Sequence, residues 1–131
     1  MDQSFGKAYR LCSKKVINRV FSEGRIQKKY PIKLLYLYSP LPTKKAFQIV
    51  IAVPKKKFKR APDRNRIKRI IREIIRKNKH PLEHFLNENN QQLALFLIYF
   101  GQDLLTYAEI EIKLVRLLDN LLQELNVNTN E

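Results

Sequence analysis

The chain has 131 residues, 44% of them hydrophobic, and carries a formal net charge of +14. That length suits one domain with a real core, and the hydrophobic content excludes wholesale disorder. The charge calls for a polyanionic partner, nucleic acid before an anionic membrane.

No apolar run approaches the length of a bilayer span, so no membrane partner is expected. The start of the chain carries no signal-peptide core, and one cysteine, Cys12, leaves no internal disulfide. Both features lead us to expect a cytoplasmic protein.

Residues 1–12 read as an irregular basic arm whose Phe5, Tyr9 and Leu11 can dock. Ser13 is placed to cap a short helix from Lys14 to Glu23. Val16, Ile17, Val20 and Phe21 form its apolar stripe, and Gly24 is placed to end it. Lys33 to Tyr38 alternates, with Leu34, Tyr36 and Tyr38 on one side and Lys33, Leu35 and Leu37 on the other. A second strand is expected from Phe47 to Val53. The intervening SPLPTKK, with Pro40 and Pro42, reads as a hairpin connection.

The densest signal runs from Lys55 to Lys79. It holds 13 of the 26 Lys and Arg against two acids, Asp63 and Glu73. The segments before, within and after it carry +9, +11 and −6, so the charge is concentrated here. Ile67, Ile70, Ile71, Ile74 and Ile75 recur at i, i+3, i+4, i+7 and i+8, one side of a helix. Asn65, Lys68, Arg69, Arg72 and Arg76 fall on the opposite arc. Pro62 is expected to precede the helix and Asp63 to cap it. Glu73 has i,i+4 spacing to both Arg69 and Lys77. Arg64 and Arg66 then sit in the first turn, where the helix dipole disfavours cations by about 0.3–1 kcal/mol each. A helix start that collects free N–H groups and arginines suits a phosphate.

Pro81 is expected to stop any helix, leaving residues 80–92 as an Asn-rich loop. Leu93 to Phe100 is continuously apolar, the pattern of a strand buried on both faces. Thr106 and Glu109 have capping-box spacing. The last helix is expected from Tyr107 to Leu125, followed by a frayed tail, 126–131.

The elements predict an α+β protein, one α/β sandwich with helices over one face of a sheet and residues 1–131 as a single domain. The strands ending at Val53 and beginning at Leu93 are joined through a helix, the connection that a parallel pair needs, and right-handed by default.

Protein-borne catalysis has thin candidates. Cys12 beside Lys14 and Lys15 has no paired histidine. His80, Glu83 and His84 lack further ligands for a metal, and no carboxylate cluster has metal spacing. No catalytic or metal-binding residue is assigned. A binding protein for another structured RNA, ribosomal-protein-like, is the alternative that charge and helix allow.

The run VPKKKFKRAPDRNRIKRIIREIIR resembles the signature of the bacterial ribonuclease P protein subunit, with Arg-Asn-Arg at Arg64, Asn65 and Arg66. Lys68, Arg69, Arg72 and Glu73 match too, as do Arg10-Leu11, Val20-Phe21 and Gly24. The likeness extends from about Arg10 to Leu125.

The resemblance implies the order α-β-β-β-α-β-α, a short extra strand near Arg25 to Lys29, and a left-handed β-α-β crossover. It implies ribonuclease P RNA and precursor tRNA as partners, with no obligate protein partner. Together they would remove the 5′ leader of precursor tRNA, an endoribonuclease reaction. Catalysis would be carried by the RNA, with Mg²⁺ held mainly by RNA and none bound by the protein alone. RNA-binding candidates are Lys55, Lys56, Lys57, Arg60, Arg64, Asn65, Arg66, Lys68, Arg69 and Arg72. A leader cleft between first helix and sheet would use Ile17, Phe21, Tyr36 and Tyr38, with Lys14 and Arg19 beside them. Leu35 is the alternative to Tyr36, and Phe21 is equally a candidate for the core. Two positions depart from the pattern. Ile17 stands where many relatives have phenylalanine, and Pro54-Lys55-Lys56 stands where Ser-Lys-Lys is usual.

Overall fold

The structure, a computed structural model, describes residues 5–129. In chain order they form α1 (Lys14–Glu23), β1 (Arg25–Lys29), β2 (Ile32–Tyr38), β3 (Phe47–Ala52), α2 (Ala61–Asn78), α3 (His80–Glu88), β4 (Leu93–Tyr99) and α4 (Tyr107–Thr129). One four-stranded sheet has the order β1-β2-β4-β3. β1/β2 and β2/β4 are antiparallel, whereas β3/β4 are parallel. The expected hairpin between β2 and β3 does not form, because β4 lies between them. Gln92 fixes that connection instead. Its side chain accepts from Leu41 N at 2.8 Å and donates to the carbonyls of Thr43 and Lys45 at 2.8 and 2.9 Å.

Backbone chirality gives the hand of the β3-α2-β4 crossover. Leu93 turns its side chain into the core shared with α2 and donates its N–H to the carbonyl of Ala46, just before β3. An L-residue in a rising strand, with its side chain towards the viewer, sends its N–H and C=O to the viewer's right. Seen from α2, β3 is therefore right of β4. The chain rises through β3, crosses in front and enters β4 on the left. That is a left-handed crossover, against the usual rule.

Two cores result. The larger joins Leu34, Tyr36, Ile49, Leu93, Leu95 and Leu97 to the isoleucines of α2 and the leucines of α4. The smaller joins Val20 of α1 to Leu35, Ala94 and Leu11 on the opposite face. Helices thus cover both faces, not one. The faces are unequal. α1 is about 15 Å long, whereas a sheet of four strands of five to seven residues is about 17–23 Å by about 19 Å. Phe96 and Ile98 are consequently only partly buried, and β4 is not closed on both sides as its composition suggested.

Three local expectations are corrected. α2 starts at Ala61 with Arg60 at the N-cap, no side-chain cap, Pro62 inside the first turn and Asp63 behind it. Proline is tolerated there because first-turn N–H groups have no helical partner. Residues 80–88 are helix, not loop. Pro81 has no N–H for the Lys77 carbonyl, so it ends α2 and opens α3. The asparagines then terminate helices: Asn78 and Asn89 donate to the carbonyls of Ile74 and Phe85, and Asn90 takes the left-handed conformation at φ 53°. α4 runs through Thr129, beyond the expected stop at Leu125, since no Gly or Pro interrupts it. Positions 1–4 of the arm and 130–131 of the tail lie outside the described residues.

The rest of the arm is packed. A 3-10 turn at Lys7–Tyr9 buries Tyr9, and Leu11 donates to Ile49 at the outer edge of β3. The capping box forms as expected: Thr106 N donates to Glu109 Oε1 at 3.1 Å, and Glu109 N to Thr106 Oγ1 at 3.2 Å.

Candidate nucleic-acid interface

The basic surface begins at the turn before α2. Val53 and Phe58 are buried, Phe58 against the Tyr99 ring with centroids 5.9 Å apart. The N–H groups of Lys57 and Phe58 both donate to Pro54 O at 3.3 Å. Two apolar anchors therefore present Lys55, Lys56 and Lys57 to solvent, and Lys59 and Arg60 are exposed after them. Arg64 turns back to this segment, its Nη1 donating to the carbonyls of Phe58 at 2.7 Å and Lys59 at 3.0 Å. It positions the lysine turn against the helix as well as adding charge.

Along α2, Asn65, Arg66, Arg69 and Arg72 are exposed and Lys68 is half-buried. Glu73 does not neutralise this face. It pairs with Arg76 at 2.6 Å and with Lys77 at 3.9 Å, not with Arg69. The hydrogen bond from Arg76 holds its carboxyl below the usual range. Among the described residues, Arg66, Lys68, Arg69 and Arg72 make no ion pair. The sequence reading missed an extension of the same surface. A cavity of about 480 Å³ between the 3-10 turn, β3 and α2 brings Lys7 and Arg10 to Lys68 and Arg72. The basic composition of the arm was the only signal for it.

The second surface lies on the α1 face. Phe21 is 51% exposed, and its ring meets that of Phe96 at 4.6 Å between centroids, tilted by 59°. Exposure decides against a core role for Phe21. Ile17 packs one turn earlier against the same small core. Beside this pair the sheet is only partly covered along Phe96, Ile98, Val50 and Lys33. A groove floored by apolar side chains and edged by an aromatic ring suits the stacked bases of a single strand. Lys14, exposed and three residues before Ile17, lies on the groove side of α1.

Other expected cleft residues lie elsewhere. Tyr36 is 3% exposed in the larger core, beneath α4, where burial and then the Glu124 carboxylate push its phenol well up. The pleat puts Leu35 on the α1 face instead, where it is buried in the smaller core beneath the helix. Tyr38 shares the side of Tyr36 and lies at the strand end near Pro40 and Gln92. Arg19 is two residues from both Ile17 and Phe21, about 160° away round the helix, and it pairs with Glu23 at 3.0 Å. Phe96 and Ile98 were hidden by the uniform apolar run of β4.

A family model described as Ribonuclease P matches residues 5–122. The chain belongs to the ribonuclease P protein family. Two curated relatives, each called ribonuclease P protein component, come from two strains of Porphyromonas gingivalis. Each is 32% identical over 105 residues, covering 80% of this chain and 77% of the relative. Among solved structures, the RNase P protein of Staphylococcus aureus aligns with TM-score 0.70 and 23% identity, over 88% of this chain and 96% of that one. The Thermotoga maritima protein aligns with TM-score 0.68 and 22% identity, over 85% and 96%. These two likenesses show the fold.

The histidines expected in a loop lie on α3. His84 Nε2 is 3.0 Å from Glu88, and His80 Nδ1 is 3.9 Å from Glu83. Among the described residues no three His, Cys, Asp or Glu side chains come together as metal ligands. Cys12 is free and exposed. No helix among the described residues is long and apolar enough to cross a membrane.

Proposed function

We propose that the chain is the protein subunit of a tRNA 5′-processing ribonucleoprotein and holds two RNAs at once. The α2 surface, with Asn65, Arg66, Lys68, Arg69 and Arg72, binds the folded ribonuclease P RNA, largely through phosphates. The lysine turn at Lys55–Lys57, with Arg60, extends that surface. The groove of Ile17, Phe21 and Phe96, floored from beneath by the buried Leu35, takes the single-stranded leader of precursor tRNA by stacking, with Lys14 and Lys33 towards its backbone. Endonucleolytic cleavage is carried by the RNA with Mg²⁺ held mainly by RNA. The protein raises the local concentration of substrate and offsets repulsion between two polyanions. The work takes place in the cytoplasm.

The observation that carries this reading is the half-exposed Phe21 ring packed at a tilt against the partly exposed Phe96, on a chain that also presents Arg66, Lys68, Arg69 and Arg72 on one helix without ion pairs among the described residues. The test is cleavage of precursor tRNA at low Mg²⁺ by a bacterial ribonuclease P RNA, with and without the protein. Strong stimulation, lost in a folded Arg66→Ala/Lys68→Ala/Arg72→Ala variant, is expected. Arg64 is left intact because it also holds the lysine turn. No stimulation by folded protein, with RNA that is competent at high Mg²⁺, would overturn the reading in favour of another structured RNA.

A further inference from the structure

A further concavity lies where the β2–β3 connection, the end of α2 and the start of α3 meet over α4. Its volume is about 870 Å³. Four lysines from two separate stretches line it: Lys44 and Lys45 before β3, and Lys77 and Lys79 at the junction of the helices. His80, His84 and Asn87 of α3 complete the polar wall. Two acids oppose them, and one is already engaged. Glu83 accepts from the Tyr9 hydroxyl at 2.6 Å and pairs with the buried Lys79 at 3.0 Å. The other is Asp119 of α4. Lys79 and Lys45 also stand over the Tyr9 ring, at 5.0 and 5.2 Å. The floor is thus fixed by Tyr9, Lys79 and Glu83, while Lys44 and Lys77 are exposed at the rim. α3 starts at this wall with no side-chain cap on its first N–H groups. Four lysines against two carboxylates leave the lining with an excess of positive charge, which favours an anion.

We propose that this cavity binds a phosphate group of an RNA strand. The geometry of α2 favours a strand over a small anion. Lys77 is eleven residues from Arg66, which is about 16 Å along the axis and about 20° round it. An RNA backbone lying on the exposed side of α2 therefore reaches the cavity rim without leaving the helix. Glu73 lies between them, held by Arg76 at 2.6 Å and 3.9 Å from Lys77 itself. α3 builds the far wall, so the site exists only because residues 80–88 are helical. The proposal rests on the RNA-binding reading above, but its first test does not.

That test is a titration of the protein with inorganic phosphate, against chloride at equal ionic strength, followed by NMR of the His80 and His84 rings and the Lys45 amide. Saturable shifts specific to phosphate are expected. They should disappear in a Lys44→Ala/Lys77→Ala variant and persist in Arg66→Ala. The absence of such shifts, or their survival in the double variant, would overturn the site. The second test measures binding to ribonuclease P RNA and to precursor tRNA separately as salt is varied. For whichever RNA occupies the cavity, the slope of log affinity against log salt should fall by about 0.7–0.9 for each phosphate that the double variant leaves unneutralised. Phosphate-specific shifts with both slopes unchanged would make this a site for free phosphate and overturn the RNA assignment. If the protein bound neither RNA, the function proposed above would fail, and the titration would still report on the cavity by itself.

Discussion

Replacing Phe21 by alanine separates leader binding from folding. The ring is 51% exposed, so roughly half of the ~1.5–3 kcal/mol available from burying a phenylalanine is at stake. The tilted pairing with Phe96 adds about 0.5–1.5 kcal/mol. A loss of about 1–3 kcal/mol is small enough, against typical stabilities of about 5–15 kcal/mol, to leave a folded protein. A base stacked on the ring is worth about 1–3 kcal/mol, which is about 5- to 150-fold in affinity. The assay is equilibrium binding of the assembled holoenzyme to precursor tRNA and to mature tRNA, which has no leader. Precursor affinity should fall by that factor and mature tRNA affinity should hold. Arg19→Ala, on the far side of α1, serves as the control and should change neither. An equal loss for both tRNAs, or an unchanged precursor affinity, would refute the assignment of the groove.

Two further outcomes follow from the packing and the caps. Gly24 ends α1 with φ −72°, so its role is space and not a left-handed turn. A Cβ there would stand 2.3 Å from the Val20 carbonyl oxygen and 3.0 Å from that of Tyr36. Gly24→Ala should therefore destabilise by about 1–3 kcal/mol, as overpacking does, measured by denaturant unfolding; an unchanged midpoint would mean that α1 shifts freely on the sheet. Glu109 is held below the usual carboxylate range by the Thr106 N–H and then by the Thr106 hydroxyl. A folded pKa depressed in this way gives stability that is present above the unfolded value, about 4.3, and is lost as pH falls through the folded value. Glu109→Gln should flatten the acid limb of a stability-against-pH curve, and parallel curves for the two proteins would reject the cap as its source.

The sequence by itself determined the elements whose signals are local. The isoleucine period of α2, the Ser13 cap, whose hydroxyl accepts from Val16 N, and the Thr106–Glu109 box depend on residues within one or two turns. The concentration of charge on α2 is likewise a property of composition and period, and so is the display of Asn65, Arg69 and Arg72 opposite the buried face, whereas Lys68 and Arg76, read on the same arc, are half-buried. The Arg-Asn-Arg signature also carried the family. Tertiary structure decided what depends on neighbours distant in the chain. Leu35 and Tyr36 both suit a half-buried strand, and only the docking of α1 against one face and α4 against the other says which of them lies beneath α1. Phe96 and Ile98 sit in a run that reads as wholly buried, and their exposure follows from a helix too short to cover the sheet. Arg19 has the right charge in the right helix but points away from the cleft. The phosphate cavity lay outside sequence reasoning, because its lysines converge only once Pro81 has divided α2 from α3 and β4 has inserted between β2 and β3. Alternation and period fix which side of an element a residue occupies, while packing fixes what that side faces.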